Sequence, residues 1–156
     1  MSTLSTTRSS ARTPAVAAAI GFLAIAAFQL GLALGAPLGH AAWGGTYTQL
    51  PPGLRIASAL AVGVWVFAAL IVLGRAGGGV VCVPQTFVRR GTWILVGVNL
   101  LAALENFVSP SSWERFIWGP VALILAALCL VVARSRLQIP ESDRESESIT
   151  ARRRAA

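Results

Sequence analysis

Lysine is absent from this 156-residue chain: all thirteen basic residues are arginine. Acids number six, and His, Met and Tyr occur once each. With the Ala and Gly load, the arginine bias reads as GC-rich codon usage, not as arginine chemistry. The two cysteines, Cys82 and Cys129, form no C-x-x-C, which argues against a thiol oxidoreductase of the four-helix, quinone-linked type. One falls in a connection and the other in an apolar run, so both are expected to be packing residues, not a disulfide. No Walker loop, G-x-S-x-G, H-E-x-x-H or glycine fingerprint occurs. A lone His without a second His or Cys at ligand spacing does not make a metal site. No cofactor is indicated, and enzyme chemistry starts without a motif. Alternating strand patterns are missing as well, which argues against a β-barrel.

What is present is oil-soluble. Hydrophobic residues make up 55% of the chain against 12% charged, and the mean hydropathy is +0.69. Four apolar runs, 15–34, 54–73, 92–108 and 116–133, are separated by the charges. A run of about 20 residues crosses roughly 30 Å of hydrocarbon as a helix. The third run is short and needs flanking residues to span. The runs are apolar all round, unlike the one-sided stripe of a soluble helix. In lipid the backbone must satisfy its own hydrogen bonds, so helices are expected. The predicted fold is an all-α, up-down bundle of four transmembrane helices over 14–134. Polar tails, 1–13 and 135–156, are expected to be disordered.

Charge sorts by side. Arg8 and Arg12, then Arg75, Arg89 and Arg90, then the arginine excess of the C-terminal tail carry the whole net charge of +7. Arg55, Glu105, Glu114 and Arg115, on the opposite side, sum to zero. The positive-inside rule then puts both termini in the cytoplasm of a bacterial inner membrane. On this reading the basic surface meets anionic lipid heads and no nucleic acid. The first run is longer than a signal-peptide core and is expected to be retained.

Punctuation refines the elements. Pro14 is expected in the first turn of the first helix, and Gly35-Ala36-Pro37 stops it. The glycine-rich connection with Trp43 and Tyr47 is expected to fold back on the bilayer surface, with Trp113 and Trp118 at the same interface. The 77–90 connection, with Gly77-Gly78-Gly79 and the apolar Val80 to Val83, is either interfacial or re-entrant. Ser111 and Glu114 have capping-box spacing. Pro120 follows about two turns later, which requires either a kink near Gly119 or a short surface helix before a fresh start. Small-xxx-small spacings at Gly31/Gly35/Gly39, Ala59/Gly63 and Ala122/Ala126 are read as bundle packing.

Polar side chains within lipid are the functional pointers. From helical rise, Gln29, Ser58 and Glu105 converge in the outer third of the membrane beside Asn106, with Asn99 nearer the midplane on the same face. One reading is an outward-open pocket with Glu105 as proton or cation acceptor, helped by His40. The other is a structural ion pair of Glu105 with Arg55 or Arg115.

The Gly39-His40-Ala41-Ala42-Trp43-Gly44-Gly45 and Ser112-Trp113-Glu114-Arg115-Phe116-Ile117-Trp118-Gly119-Pro120 segments resemble a pattern in small uncharacterised bacterial four-span membrane proteins. The resemblance covers roughly residues 15–133 and implies no activity. Small multidrug exporters also have four spans, but carry their glutamate in the first helix, where this chain has no acid. Three functions stay open from sequence: a non-enzymatic structural or accessory protein in a homo-oligomer or larger membrane complex, a transporter using the Glu105 level, or a lipid-binding or lipid-modifying protein. The last requires Glu105, His40 and Arg55 to line one cleft.

Overall fold

The computed structural model describes residues 9–77 and 84–135, with side chains from Arg12 onward. Four helices run up and down: α1 (Ser9–Ala33), α2 (Pro52–Arg75), α3 (Gln85–Val108) and α4 (Gly119–Arg134). Each is long and apolar enough to cross a membrane, α4 together with the turn that precedes it (Glu114–Arg134). The fold is an all-α membrane bundle of four spans. The most extensive packing is α1 on α2 and α3 on α4, with α1–α4 and α2–α3 closing the ring. One end of the bundle carries the 36–51 and 109–113 connections and is called the loop end; the other carries Arg75, Arg89, Arg90 and Arg134 and is called the arginine end.

Helix boundaries differ from the hydropathy boundaries for physical reasons. Helix α1 is already helical at Ser9, the first described residue, so Pro14 lies inside it and not in its first turn. Part of the segment read as a tail is therefore helical. The end of α1 follows expectation. Gly35 takes φ +93°. The Ala36 amide bonds Gly31 O at 2.9 Å and the Gly35 amide bonds Leu32 O at 3.0 Å, the paired bonds of a Schellman stop. Helix α3 runs through Arg89 and Arg90 back to Gln85, which supplies the length the third run lacked. Of the 77–90 connection, residues 84–90 are Pro84 and the first turns of α3. Residues 78–83, with Cys82 and the apolar quartet, lie outside the described residues.

Pro120 is accommodated by widening the helix. Its missing N–H would orphan a carbonyl one turn back. A π-helical turn, Glu114–Trp118, absorbs this, with the Gly119 N–H bonded to Glu114 O. A short helical turn thus precedes α4 with Pro120 in the first turn of α4, as one of the two expected arrangements has it, but the turn is π-helical and runs on without a break from Ser112 to Arg134.

The core occupies the arginine half. Ala18, Ala19 and Phe22 of α1 meet Ala68, Ala69, Ile71 and Val72 of α2, Leu95 and Val96 of α3, and Leu125 and Cys129 of α4. Phe22 stacks on Trp65 with ring centroids 5.6 Å apart. At the very end, Arg75 is buried and donates to the Ser135 carbonyl just beyond α4. A cation there complements the carbonyl ends of α2 and α4. The small-residue spacings correct the packing expectation. Gly63 faces open space, and Gly31 has only Ala36 nearby. Ala122 and Ala126 are buried as expected, but the close approaches are at Gly21 on Leu125, Gly91 on Ile71 and Gly119 on Phe107.

Outward faces are apolar: Ile20, Leu60, Ile94, Leu104 and Ile124 are each about 60–70% exposed. A surface of that kind is matched by hydrocarbon, not by water. Truncating Phe22 to Ala is expected to destabilise the bundle by on the order of 3 kcal/mol. Ile20→Ala, one turn-step away on the lipid face, should cost under about 1 kcal/mol. Thermal unfolding of both variants in lipid nanodiscs checks the difference.

Candidate functional site

Above the packed half, the bundle opens. A cavity of about 280 Å³ lies in the loop half, bounded by all four helices and roofed by the 36–51 connection and the Glu114–Trp118 turn. Trp65, Asn99 and Ala122 line its deep part; Ala42, Trp43, Glu114 and Trp118 line it from the loop end. That volume is near the lower limit of small-molecule pockets and holds several waters.

The roof is built from the 36–51 connection. Two 3₁₀ turns, Gly39–Ala41 and Trp43–Gly45, lay it across the bundle end. Ala42 and Leu50 pack on Leu32, Phe28 and Leu54. Gly39 has to be glycine: a Cβ there would sit 2.5 Å from the Tyr47 carbonyl oxygen. Trp43 itself takes a left-handed φ of +53°, a conformation that costs a bulky side chain about 1–2 kcal/mol. Its indole N–H donates to Ser58 Oγ at 3.1 Å, which holds it there.

Glu114 joins the two connections. Its Oε1 accepts from the Gly44 amide at 2.9 Å and its Oε2 from the Ser109 hydroxyl. The expected capping box is thus half made. The Glu114 amide reaches Ser111 Oγ at 3.5 Å. The Ser111 amide, however, turns to Ser109 Oγ, leaving the Glu114 carboxylate for Gly44. Ser111 Oγ also donates to the His40 carbonyl at 3.2 Å. The Trp118 indole donates to the Ala41 carbonyl at 2.7 Å, with its ring 4.8 Å from that of Phe28. Trp113, Tyr47 and Trp43 are all exposed; Trp43 and Trp118 also bond into the roof.

Of the residues singled out from sequence, Gln29, Asn99, Glu105 and Asn106 line the cavity together. Ser58, His40 and Arg55 do not. Ser58 is fully buried as the acceptor for Trp43. His40 is consumed inside its own loop, Nδ1 on Gly45 O at 3.1 Å and Nε2 on Thr48 Oγ1 at 2.9 Å. Arg55 covers the end of α1, donating from Nε to Ala33 O at 2.9 Å. Arg115 donates to Ser109 O at 3.0 Å. Among the described residues neither arginine pairs with Glu105, and neither His40 nor Arg55 lines this cavity beside it. The structural ion-pair reading of Glu105 loses the contact it requires.

The cavity's polar groups share one arrangement. Asn99 donates its amide nitrogen to Leu95 O at 2.8 Å, and Asn106 does the same to Ala102 O at 2.7 Å. Each bond returns to the carbonyl four residues back and fixes which end of the amide points away. Asn99, 1% exposed, is left with Oδ1 buried and unpartnered, as is Gln29 Oε1. A buried acceptor without a donor costs about 1–3 kcal/mol. Glu105 lines the same cavity while remaining exposed. Several lining residues escaped sequence reasoning as cavity residues, among them Glu114, absorbed into a cap, Trp43 and Trp118, read as interface residues, and Trp65, which carried no signal of its own.

Glu114→Ala removes the acceptor from both the Gly44 amide and the Ser109 hydroxyl. A loss of about 1–3 kcal/mol is expected, concentrated at the loop end. Hydrogen exchange should show the 39–45 segment opening while the Phe22 level stays protected. No family model, curated protein or solved structure matches this chain, so its chemistry is argued from its own residues.

Proposed function

We propose that this protein is a small multi-pass carrier of a bacterial inner membrane, with both termini cytoplasmic, that takes a small polar solute from the outer side into the loop-half cavity. One observation carries this reading: four polar residues of the membrane-spanning helices, Gln29, Asn99, Glu105 and Asn106, line one cavity, and the oxygens of two of them have no donor in the protein. A purely structural bundle would gain by filling that space with apolar side chains. An intramembrane polar group retained without a partner marks a path for solute or ions. The packed half at Phe22, Val72 and Cys129 closes the other side, so the arrangement corresponds to a state open to one face. The arginines supply the orientation, since Arg12, Arg75, Arg89, Arg90 and Arg134 share the end opposite the cavity.

Ala102, half-buried on the cavity wall, offers a test of access and orientation together. Ala102→Cys in a Cys82→Ser background is expected to react with a membrane-impermeant methanethiosulfonate added outside intact cells. Reaction only after permeabilisation would reverse the orientation. No reaction under either condition would mean a dry interior and return the protein to a structural or accessory role.

A further inference from the structure

The cavity is roofed at the loop end, but its side wall between α2 and α3 is incomplete. These two helices meet in the arginine half. Ile71, 7% exposed, lies against Gly91, where a Cβ would sit 3.1 Å from its Cδ1, and Val88 lies against Gly74. Seven residues toward the loop end, on the same face of each helix, stand Val64 and Val98. That step is about 10 Å, and there the two valines are 59% and 43% exposed. Leu60, a turn further along α2, is 70% exposed, and a Cβ on Gly63 would meet nothing within 4 Å. The helices therefore part toward the loop end. Among the four neighbouring helix pairs, α2 and α3 pack least extensively.

This gap leads into the cavity. Val64 adjoins Trp65, the only residue of α2 in the cavity wall among the described residues. Val98 is followed on its own face by Ala102 and Glu105, which both line the cavity. The rims are apolar and open onto hydrocarbon, whereas the chamber behind them carries Gln29, Asn99 and Asn106. At the mouth, Glu105 is exposed and lies about 4.5 Å below the end of α3. Two carboxylates, Glu105 and Glu114, line the cavity and no Arg or His does, so an anion is repelled. A free polar solute has no use for an apolar slot in the side wall. A polar head attached to an alkyl chain does: the head takes the chamber while the chain stays in the gap and the bilayer. A second copy of the bundle suits the gap less, since a helix about 10 Å across cannot follow walls that converge on Ile71 and Gly91.

We infer that the ligand of this cavity is an amphiphile with a non-anionic polar head, which enters sideways from the bilayer through the gap between α2 and α3. This rests on the cavity being open to solute, as proposed above, and adds the route and the alkyl chain that the solute carries.

The Ala102→Cys variant, in nanodiscs and labelled by the impermeant methanethiosulfonate, reads occupancy as protection. Monooleoylglycerol is expected to slow the labelling saturably, while glycerol at the same concentration leaves it unchanged. Monooleoylglycerol phosphate, the same amphiphile made anionic, should protect about tenfold more weakly, and Glu105→Gln should close most of that difference. Ser112→Cys, exposed and outside the cavity, should react at one rate throughout. Equal protection by glycerol overturns the inference and leaves the cavity reading standing. So does protection by neither compound while Ala102→Cys still reacts. An unreactive Ala102→Cys removes both. The unsubstituted protein gives a second readout. A phosphatidylcholine with a diazirine midway along its chain is expected to mark Trp65 and Ala102 as well as Leu104 and Ile124 on the lipid face. Adducts confined to the lipid face overturn the inference. Loss of the Trp65 and Ala102 adducts once nanodiscs hold two copies assigns the gap to a second copy and overturns it too.

Discussion

Hydrocarbon offers no hydrogen-bond partner, and this single constraint shapes every level of the protein. It makes the four apolar runs helical. It also governs the polar side chains those helices carry. Thr92, Asn99 and Asn106, spaced at heptads along α3, each return a donor to the carbonyl four residues back. Threonine is quit of its obligation by that one bond. The asparagines are not, because an amide has an oxygen as well as a nitrogen. The Asn99 oxygen is left buried without a donor, as is that of Gln29.

A second consequence is a division of labour along the bundle axis. The arginine half is tightly packed around Phe22 and Val72, where small residues such as Ala18, Ala68 and Ala69 bring the helices close. The loop half is held apart by larger lining groups and closed from above by the connections. Glu114 is the tie between them, accepting from Gly44 in one connection and Ser109 in the other. The carboxylate lies on a π-helical turn that exists because Pro120 cannot donate. A proline in the fourth helix therefore contributes to placing the roof over a cavity bounded by all four.

Much of the fold was legible before any coordinates. The four spans, the stop at Gly35 and the shared face of Asn99 and Asn106 follow from hydropathy, a glycine at a helix end and a seven-residue spacing. The start of α3 at Gln85 was hidden, because Arg89 and Arg90 end an apolar run without ending a helix. In the site, helical rise carries no information on direction around each axis: Gln29 and Glu105 line the cavity, whereas Ser58 is taken up by Trp43. His40 and Arg55 satisfy neighbours in the loop and at the end of α1 instead.

Sequence alone fixed the solvent, the number of crossings and the side bearing positive charge, since those depend on composition summed over twenty residues at a time. Tertiary structure decided which polar groups meet. The bond from Gly44 to Glu114 links residues 70 apart, and that from Trp118 to Ala41 links residues 77 apart. Neither leaves a local signal, because a hydrogen bond depends on where two atoms end up and not on what surrounds each along the chain. The roof over the cavity is the product of those distant pairings.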